Sequence, residues 1–390
     1  MSNVALNSGI GGSCIILDIG TQSIRIGNGG EDLPKCIVPN CVGISSGEVD
    51  NSDSNYGNIL FPLKPWEKRD YIEVIAPFTY NLREKTIEIN EEYLSRLLQD
   101  ISVPQKYTNI PFSFSSTHNY IFEPFEDRIS GHSLFLPIHS TFNQSHSGKL
   151  AEIAFEKLEV SSLFLSRRSV LSCFSCGRTS GIVVDIGASF SNVSCVQDGH
   201  CIQNSIQEYS IAGDFLDNEI YKKIHNKVDI IPEFGVAIDS GSKDSNKKVS
   251  IPLFNVDNSY LNWGIMHVVR SLKHSCLSFS NNNSEAQNTI FTLPDGNTID
   301  TSSIRNSIPN LLFKNNNHNS QSYPGLIQMI VNSISEISNS IKDISSIASS
   351  IVLAGGTTLI SGFDSKLYQN IVDQKNQLLN NQVCIFCILF

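Results

Sequence analysis

Two aspartates, Asp18 and Asp185, each end a short apolar, β-branched run, and each is followed two residues later by a glycine, Gly20 and Gly187. The first run reads CIILDIGTQSIRIG over residues 14–27 and the second GIVVDIGASFSNVS over 181–194. In a tight turn, successive backbone N–H groups can point inward and form a nest for an anion. A glycine lets a phosphate approach the main chain, because no Cβ stands in the way. A carboxylate at the strand end can hold Mg²⁺ through water, and the ion then screens the phosphate charge. One Asp-x-Gly turn describes an ordinary hairpin. Two of the same design, followed by the strand-like run IVLAGGTT over 351–358, describe a clamp that grips a polyphosphate from two sides, with a flat Gly-Gly-Thr-Thr turn for the base.

The elements that must position these residues are legible as patterns. Each Asp-x-Gly sits between a short apolar strand and an alternating run that reads as the returning strand, so each is expected to be a hairpin. An apolar-periodic helix is expected over 263–277. Asn- and Ser-rich tracts at 51–55, 280–284 and 315–320 lack hydrophobic period and read as loops or insertions.

The 390 residues are 40% hydrophobic, enough for one large two-lobed unit or two ordinary domains. Acidic residues outnumber basic ones, 38 to 28, which argues against general nucleic-acid affinity. The clusters Lys64/Lys68/Arg69 and Lys243/Lys247/Lys248 read as solvated faces. No stretch reaches the ~18 apolar residues that span a membrane, and no secretory leader is visible at the N-terminus. The ten cysteines therefore read as reduced thiols. Cys173/Cys176 and Cys384/Cys387 have CxxC spacing, but the first pair simply shares a helix face and the second lies in an apolar tail. His132, His139 and His146 recur every seven residues without forming a ligand set.

The three glycine-bearing elements resemble the phosphate-1, phosphate-2 and adenosine motifs of the actin/heat-shock-70/sugar-kinase superfold. Longer stretches are similar to the actin branch: GGEDLPK over 29–35, KLAEIAFE over 149–156, GRTSG over 177–181, Asp198-Gly199 and IAGD over 211–214. Within that family the chain resembles the nuclear actin-related protein 4 class, through Arg25, Gly187-Ala188, Ala212-Gly-Asp-Phe215, FTLPDG over 291–296 and LAGGTTLI over 353–360. The resemblance implies an α/β fold of two lobes, each with a mixed five-stranded sheet flanked by helices. It implies a first lobe at 13–178, with an outer subdomain near 41–70, and a second lobe at 179–376, with an outer subdomain near 215–324. The tail at 377–390 matches nothing in the family, whose closing helices are missing; its apolar end would be a sticky patch if unpaired, and it reads either as a truncated gene model or as natural divergence with the tail packed into the vacancy.

The resemblance also assigns a pocket for ATP and Mg²⁺. Asp18 and Asp185 would orient the metal through water. Gly20, Thr21 and Gln22 would face the β-phosphate, and Arg25 stands at a phosphate-binding lysine. Gly187 and Ala188 form the second turn, Gly213 lies near the ribose, and Lys273 matches the adenine-pocket lysine. Gly355, Gly356 and Thr357 would pack on the adenine and α-phosphate.

Several departures weaken this pocket. Gln22 replaces a glycine, Ala188 an aspartate, His274 a glutamate, and Ile360 stands at a tyrosine. The positions that arrange the attacking water carry Arg168 and Asn192, and an arginine cannot accept a proton. No catalytic residue is therefore expected: the resemblance implies weak or absent ATP binding without significant hydrolysis. The implied role is a nuclear scaffold that docks with actin on a helical segment of a remodelling ATPase, among other subunits of chromatin-remodelling or histone-acetyltransferase complexes. Segment 45–58 lacks an apolar plug for polymer contact, so filament formation is not expected. A cytoplasmic actin-related protein, or a working ATPase of the same superfold, is the alternative.

Overall fold

A computed structural model describes residues 14–45, 59–81, 86–101, 121–122, 128–238, 248–279, 289–318, 321–338, 344–373 and 384–387. The chain begins with β1 (Cys14–Ile19), β2 (Ser23–Asn28) and β3 (Cys36–Pro39). A small three-stranded sheet follows, from β4 (Val42–Ser45), β5 (Ile59–Leu60) and β6 (Ile72–Ile75), with β4 in the middle. Then come α1 (Glu91–Ile101), β7 (Ile121–Phe122), β8 (Ser133–Ile138), α2 (Gln144–Glu152) and β9 (Ser162–Arg167). These strands build the first sheet in the order β9-β8-β1-β2-β3-β7, parallel across β9, β8 and β1 and antiparallel beyond.

Alternation sets the faces of β1. Ile15, Leu17 and Ile19 are buried in the core with Leu94, Leu97 and Leu134, so Asp18 is turned to the opposite face. Helix α2 starts in a capping box in which Asn143 accepts from the His146 amide while His146 accepts from that of Asn143. That is where one of the regularly spaced histidines is used.

The second sheet is built from β10 (Gly181–Ile186), β11 (Ser191–Gln197), β12 (His200–Cys201), β13 (Gln207–Tyr209), β14 (Ser350–Ala354) and β15 (Cys384–Cys387). Its order is β12-β11-β10-β14-β15, and β13 shares the outer edge of β11 with β12. Helix α3 (Arg168–Ser175) packs beneath it through Val170 and Cys173 against Val183, Val196 and Val352. Helices α4 (Gly213–His225), α5 (Asn258–Cys276) and α6 (Leu326–Ser338) belong to the main core of this lobe, joined by α7 (Phe363–Asp373). Sheet strands covered on both sides read as continuous apolar runs, and Asp185 is the one residue of β10 that is not fully buried.

One expectation needs correction. Each sheet holds six strands rather than five: in the first, β7 adds an edge to β3, and in the second two short strands divide one edge position. The tail is paired, as one of its two readings has it. Cys384–Cys387 lies parallel to β14, in register from Ser350↔Cys384 to Leu353↔Cys387. A buried strand such as β14 needs its edge amides and carbonyls paired, and Cys384–Cys387 meets that need.

Cys173 is a buried free thiol with Cys176 beside it, and no cluster of metal-ligating side chains occurs among the described residues. Lys64, Lys68 and Arg69 pair with Glu67 and Asp70. No helix among the described residues is long and apolar enough to cross a membrane. Lys243 and Lys247, most of 45–58 and the tracts at 51–55 and 280–284 lie outside the described residues.

Candidate functional site

Both hairpins close in the same way: the Gly20 amide donates to Ser23 O at 3.0 Å, and the Gly187 amide to Phe190 O at 3.1 Å. Antiparallel register then places Arg25 opposite Asp18 and Asn192 opposite Asp185, so the seven-residue spacing selects corresponding partners in the two lobes. The tip of the first hairpin is fastened by buried Asn40, whose amide nitrogen Nδ2 donates to Thr21 O at 3.0 Å while its backbone N–H donates to Gln22 O at 2.9 Å. The second hairpin is pinned by α4: Gly213 N–H donates to Gly187 O and Asp214 N–H to Ala188 O. Thr357 Oγ1 donates to the same Gly187 O at 2.8 Å.

Gly213 is tightly placed, since a Cβ there would lie 3.0 Å from Thr357 Oγ1 and 3.1 Å from Gly187 O. Gly355 is more constrained. Its φ is +86°, and a Cβ would stand 2.4 Å from Ile186 O and 2.6 Å from Asp185 Oδ1. Gly356 faces open space.

The charged residues of the site are paired with one another. Asp18 Oδ2 receives Arg25 at 3.0 Å, and Asp18 Oδ1 receives Arg168 at 2.5 Å. Arg168 also donates to Ile19 O at 2.7 Å. Burial pushes the Asp18 carboxyl upward, but Arg168 and Arg25 together outweigh it and hold the group below its ordinary 3.8. Asp185 has no such partner: burial raises its pKa, with Arg168 pulling down and Asp18 pushing up. No hydrogen bond reaches its carboxylate among the described residues.

A second set closes the other wall. Lys273 on α5 lies 2.8 Å from Asp217 on α4 and donates to Gly213 O at 3.3 Å, while Arg270 reaches Asp217 at 3.2 Å and Asp214 at 3.5 Å. Asp217 is fully buried; burial pushes its pKa up against the pull of Lys273 and Arg270. His274 lies on the exposed side of α5, and Ile360 packs against the core.

Of the two positions that the resemblance ties to hydrolysis, Arg168 is held by Asp18 and Asn192 lies in an interlobe polar cluster. Asn192 Nδ2 donates to Glu208 at 3.3 Å, and Glu208 lies 3.4 Å from His139 Nδ1 of the first lobe. His139 also packs edge-on against Phe190, at 4.1 Å between ring centres. Burial, then Arg168 and Arg167, keep its imidazole well below 6.5, so the ring is neutral at physiological pH.

At the mouth of the cleft, Cys41, Leu63 and Ile72 of the first lobe share an apolar cluster with Phe234 and Tyr260 of the second. Tyr260 Oη donates to Glu67 O at 2.6 Å, and Tyr71 N–H to Asn255 O at 2.9 Å. A separate cavity of about 460 Å³, lined by Trp66, Lys248, Phe291 and Pro294, holds none of these charged residues.

Sequence reading names Asp18, Arg25, Asp185, Gly187, Ala188, Gly213, Gly355 and Thr357, which lie along the two hairpins and the segments packed on them, and Arg168, which the structure pairs with Asp18. It misses Asn40, His139, Glu208 and Asp217. Only Asp217 leaves a signal: an acid next to Leu216 and three residues before Ile220, on the apolar face of α4.

Nucleotide phosphates suit the two turns and the cationic side chains beside them, and Arg168 Nε is buried without an acceptor. A hydrated Mg²⁺ held through Asp18 fits poorly, because two guanidiniums already answer the charge of that carboxylate and would repel a dication.

A family model described as Actin matches residues 11–385, which takes in most of the tail expected to match nothing. The chain is similar to Actin-related protein 4 of Oryza sativa subsp. indica, 26% identical over 93% of this chain and 86% of that protein. It is also similar to Actin-related protein 4 of Yarrowia lipolytica, at 24% over 92% and 82%, and of Arabidopsis thaliana, at 23% over 93% and 85%. With its paired Asp-x-Gly hairpins and two flanked mixed sheets, this chain belongs to the actin family.

Proposed function

We propose that this protein is a nuclear, non-enzymatic scaffold of the actin family that binds ATP weakly and hydrolyses it negligibly. In this reading it docks beside actin on a helical segment of a remodelling ATPase, within chromatin-remodelling or histone-acetyltransferase complexes, and does not form filaments. The similarity to proteins named Actin-related protein 4 supports the class. One observation carries the non-enzymatic part: Arg168 and Asn192, at the two water-arranging positions, are both committed to partners, Asp18 and Glu208. Arg168 has only donors, so it cannot draw a proton from water in any rotamer.

Within this scheme the backbones of Gly20, Thr21, Gln22 and Gly187 would line the phosphates, with Arg25 and Arg168 supplying positive charge. Gly356 would offer open backbone to the base. Lys273, tied to Asp217, acts as a wall of the pocket more than as a free cation. Affinity purification of the tagged full chain from nuclear extract tests the reading. Co-purification of actin with a remodelling ATPase is expected; exclusive recovery of cytoplasmic motor-adaptor or filament-branching partners would overturn it.

A further inference from the structure

We infer that the Arg168 guanidinium is the resident cation of this cleft, so that the site takes a nucleoside triphosphate free of divalent metal. The inference rests on the proposal that the cleft binds nucleotide.

A carboxylate that anchors Mg²⁺ through water must keep lone pairs open to the ion's water shell, and Mg²⁺ demands near-ideal octahedral geometry. The charge of Asp18 is already answered. Oδ1 accepts from Arg168 and Oδ2 from Arg25, and the two guanidiniums approach from different elements, α3 and β2. A dication drawn to Asp18 would meet the repulsion of both. Arg168 is in turn fixed by Ile19 O, so that one nitrogen bridges a side chain and a main-chain carbonyl of the first lobe. Its own helix rests on the sheet of the second lobe. The guanidinium thus joins the lobes beside the first hairpin.

The charge count agrees. Arg25 and Arg168 already match the two carboxylates, Asp18 in contact and Asp185 within their field, and Arg168 Nε has a buried N–H with no acceptor. Guanidinium is a permanent cation with a fork of donors matched to phosphate oxygens. Asp185 is left as a single desolvated carboxylate whose pKa is raised, a poor lone anchor for a hard dication.

Calorimetric titration of the purified full chain with ATP, once in excess Mg²⁺ and once in EDTA, decides the matter. The wild-type dissociation constants are expected to agree within about threefold, and Arg168→Gln is expected to make Mg²⁺ tighten ATP by more than about threefold. Should Arg168→Gln fail to fold, Arg168→Lys keeps the charge and is expected to retain the indifference to metal. Wild-type binding that Mg²⁺ tightens beyond about threefold overturns the inference while leaving the nucleotide proposal standing. An Arg168→Gln protein as indifferent to Mg²⁺ as the wild type overturns the role of Arg168. Absence of ATP binding in both buffers overturns the nucleotide proposal itself, and this inference with it.

Discussion

Lys273 Nζ lies 2.8 Å from Asp217 Oδ1, with Asp217 fully buried and Lys273 nearly so. Two elements that each read as plain amphipathic helices, α4 and α5, therefore meet through a desolvated ion pair rather than through apolar contact alone. Such a pair is expensive to break from one side. Asp217→Ala leaves Lys273 and Arg270 without their central partner and is expected to lower stability by about 3–5 kcal/mol. The double change Asp217→Leu, Lys273→Met should recover most of that loss. Denaturant unfolding of the three proteins is the measurement, and a double variant no better than the single one would contradict the pairing.

Acid should act on the folded protein in two separable steps. His139 has a folded pKa well below 6.5, so the unfolded chain takes up a proton that the native state refuses. Stability is therefore expected to fall as pH drops from 6.5 toward that folded value. Asp18 acts in the same direction at lower pH: its folded pKa lies below 3.8, so its contribution is complete above 3.8 and is lost as pH falls through the folded value. Melting temperature followed from pH 8 to pH 3 checks both. His139→Gln should flatten the upper limb alone, and Asp18→Asn the lower limb alone.

How much of this was written in the sequence differs from residue to residue. The hairpins were legible because Asp-x-Gly between β-branched runs admits few conformations, and their register follows from a two-residue tip. The pairing of Arg25 with Asp18 also follows from that register once the turn is fixed. The pairing of Arg168 with Asp18 does not, because 150 residues separate the two and only the packing of α3 beneath the second sheet brings them together. The edge strand at Cys384–Cys387 was hidden for a similar reason. Four residues carry no periodicity of their own, and their strand character comes from the open edge of β14. The seven-residue histidine spacing carries no common role, since His139 and His146 serve an interlobe cluster and a helix cap.

Gly355 is held where a side chain cannot follow. Its φ of +86° and the approach of Ile186 O leave no space for a Cβ. Gly355→Ala is expected to cost about 2–4 kcal/mol, from left-handed backbone strain together with displacement of β10. Gly356→Ala, facing open space, should cost under about 1 kcal/mol. Parallel thermal melts distinguish the two, and equal losses would contradict the geometry.

Tyr260 links the outer parts of the two lobes through its hydroxyl on Glu67 O. Tyr260→Phe keeps the ring in its cluster and removes that bond, at an expected cost of about 1 kcal/mol. Hydrogen–deuterium exchange should then quicken in residues 63–75 and 255–261, on both sides of the cleft mouth. Quickening on one side only would mean that the contact does not couple the lobes.

The central claim is a clamp whose two water-arranging positions, Arg168 and Asn192, are tied to partners and supply no base to activate water. Release of labelled phosphate from γ-labelled ATP by the purified full chain, with Mg²⁺ present, tests it most directly. Phosphate release no faster than in buffer is expected. Turnover at an actin-like rate, abolished by substituting Asp185 but untouched by Arg168→Gln, would contradict the account.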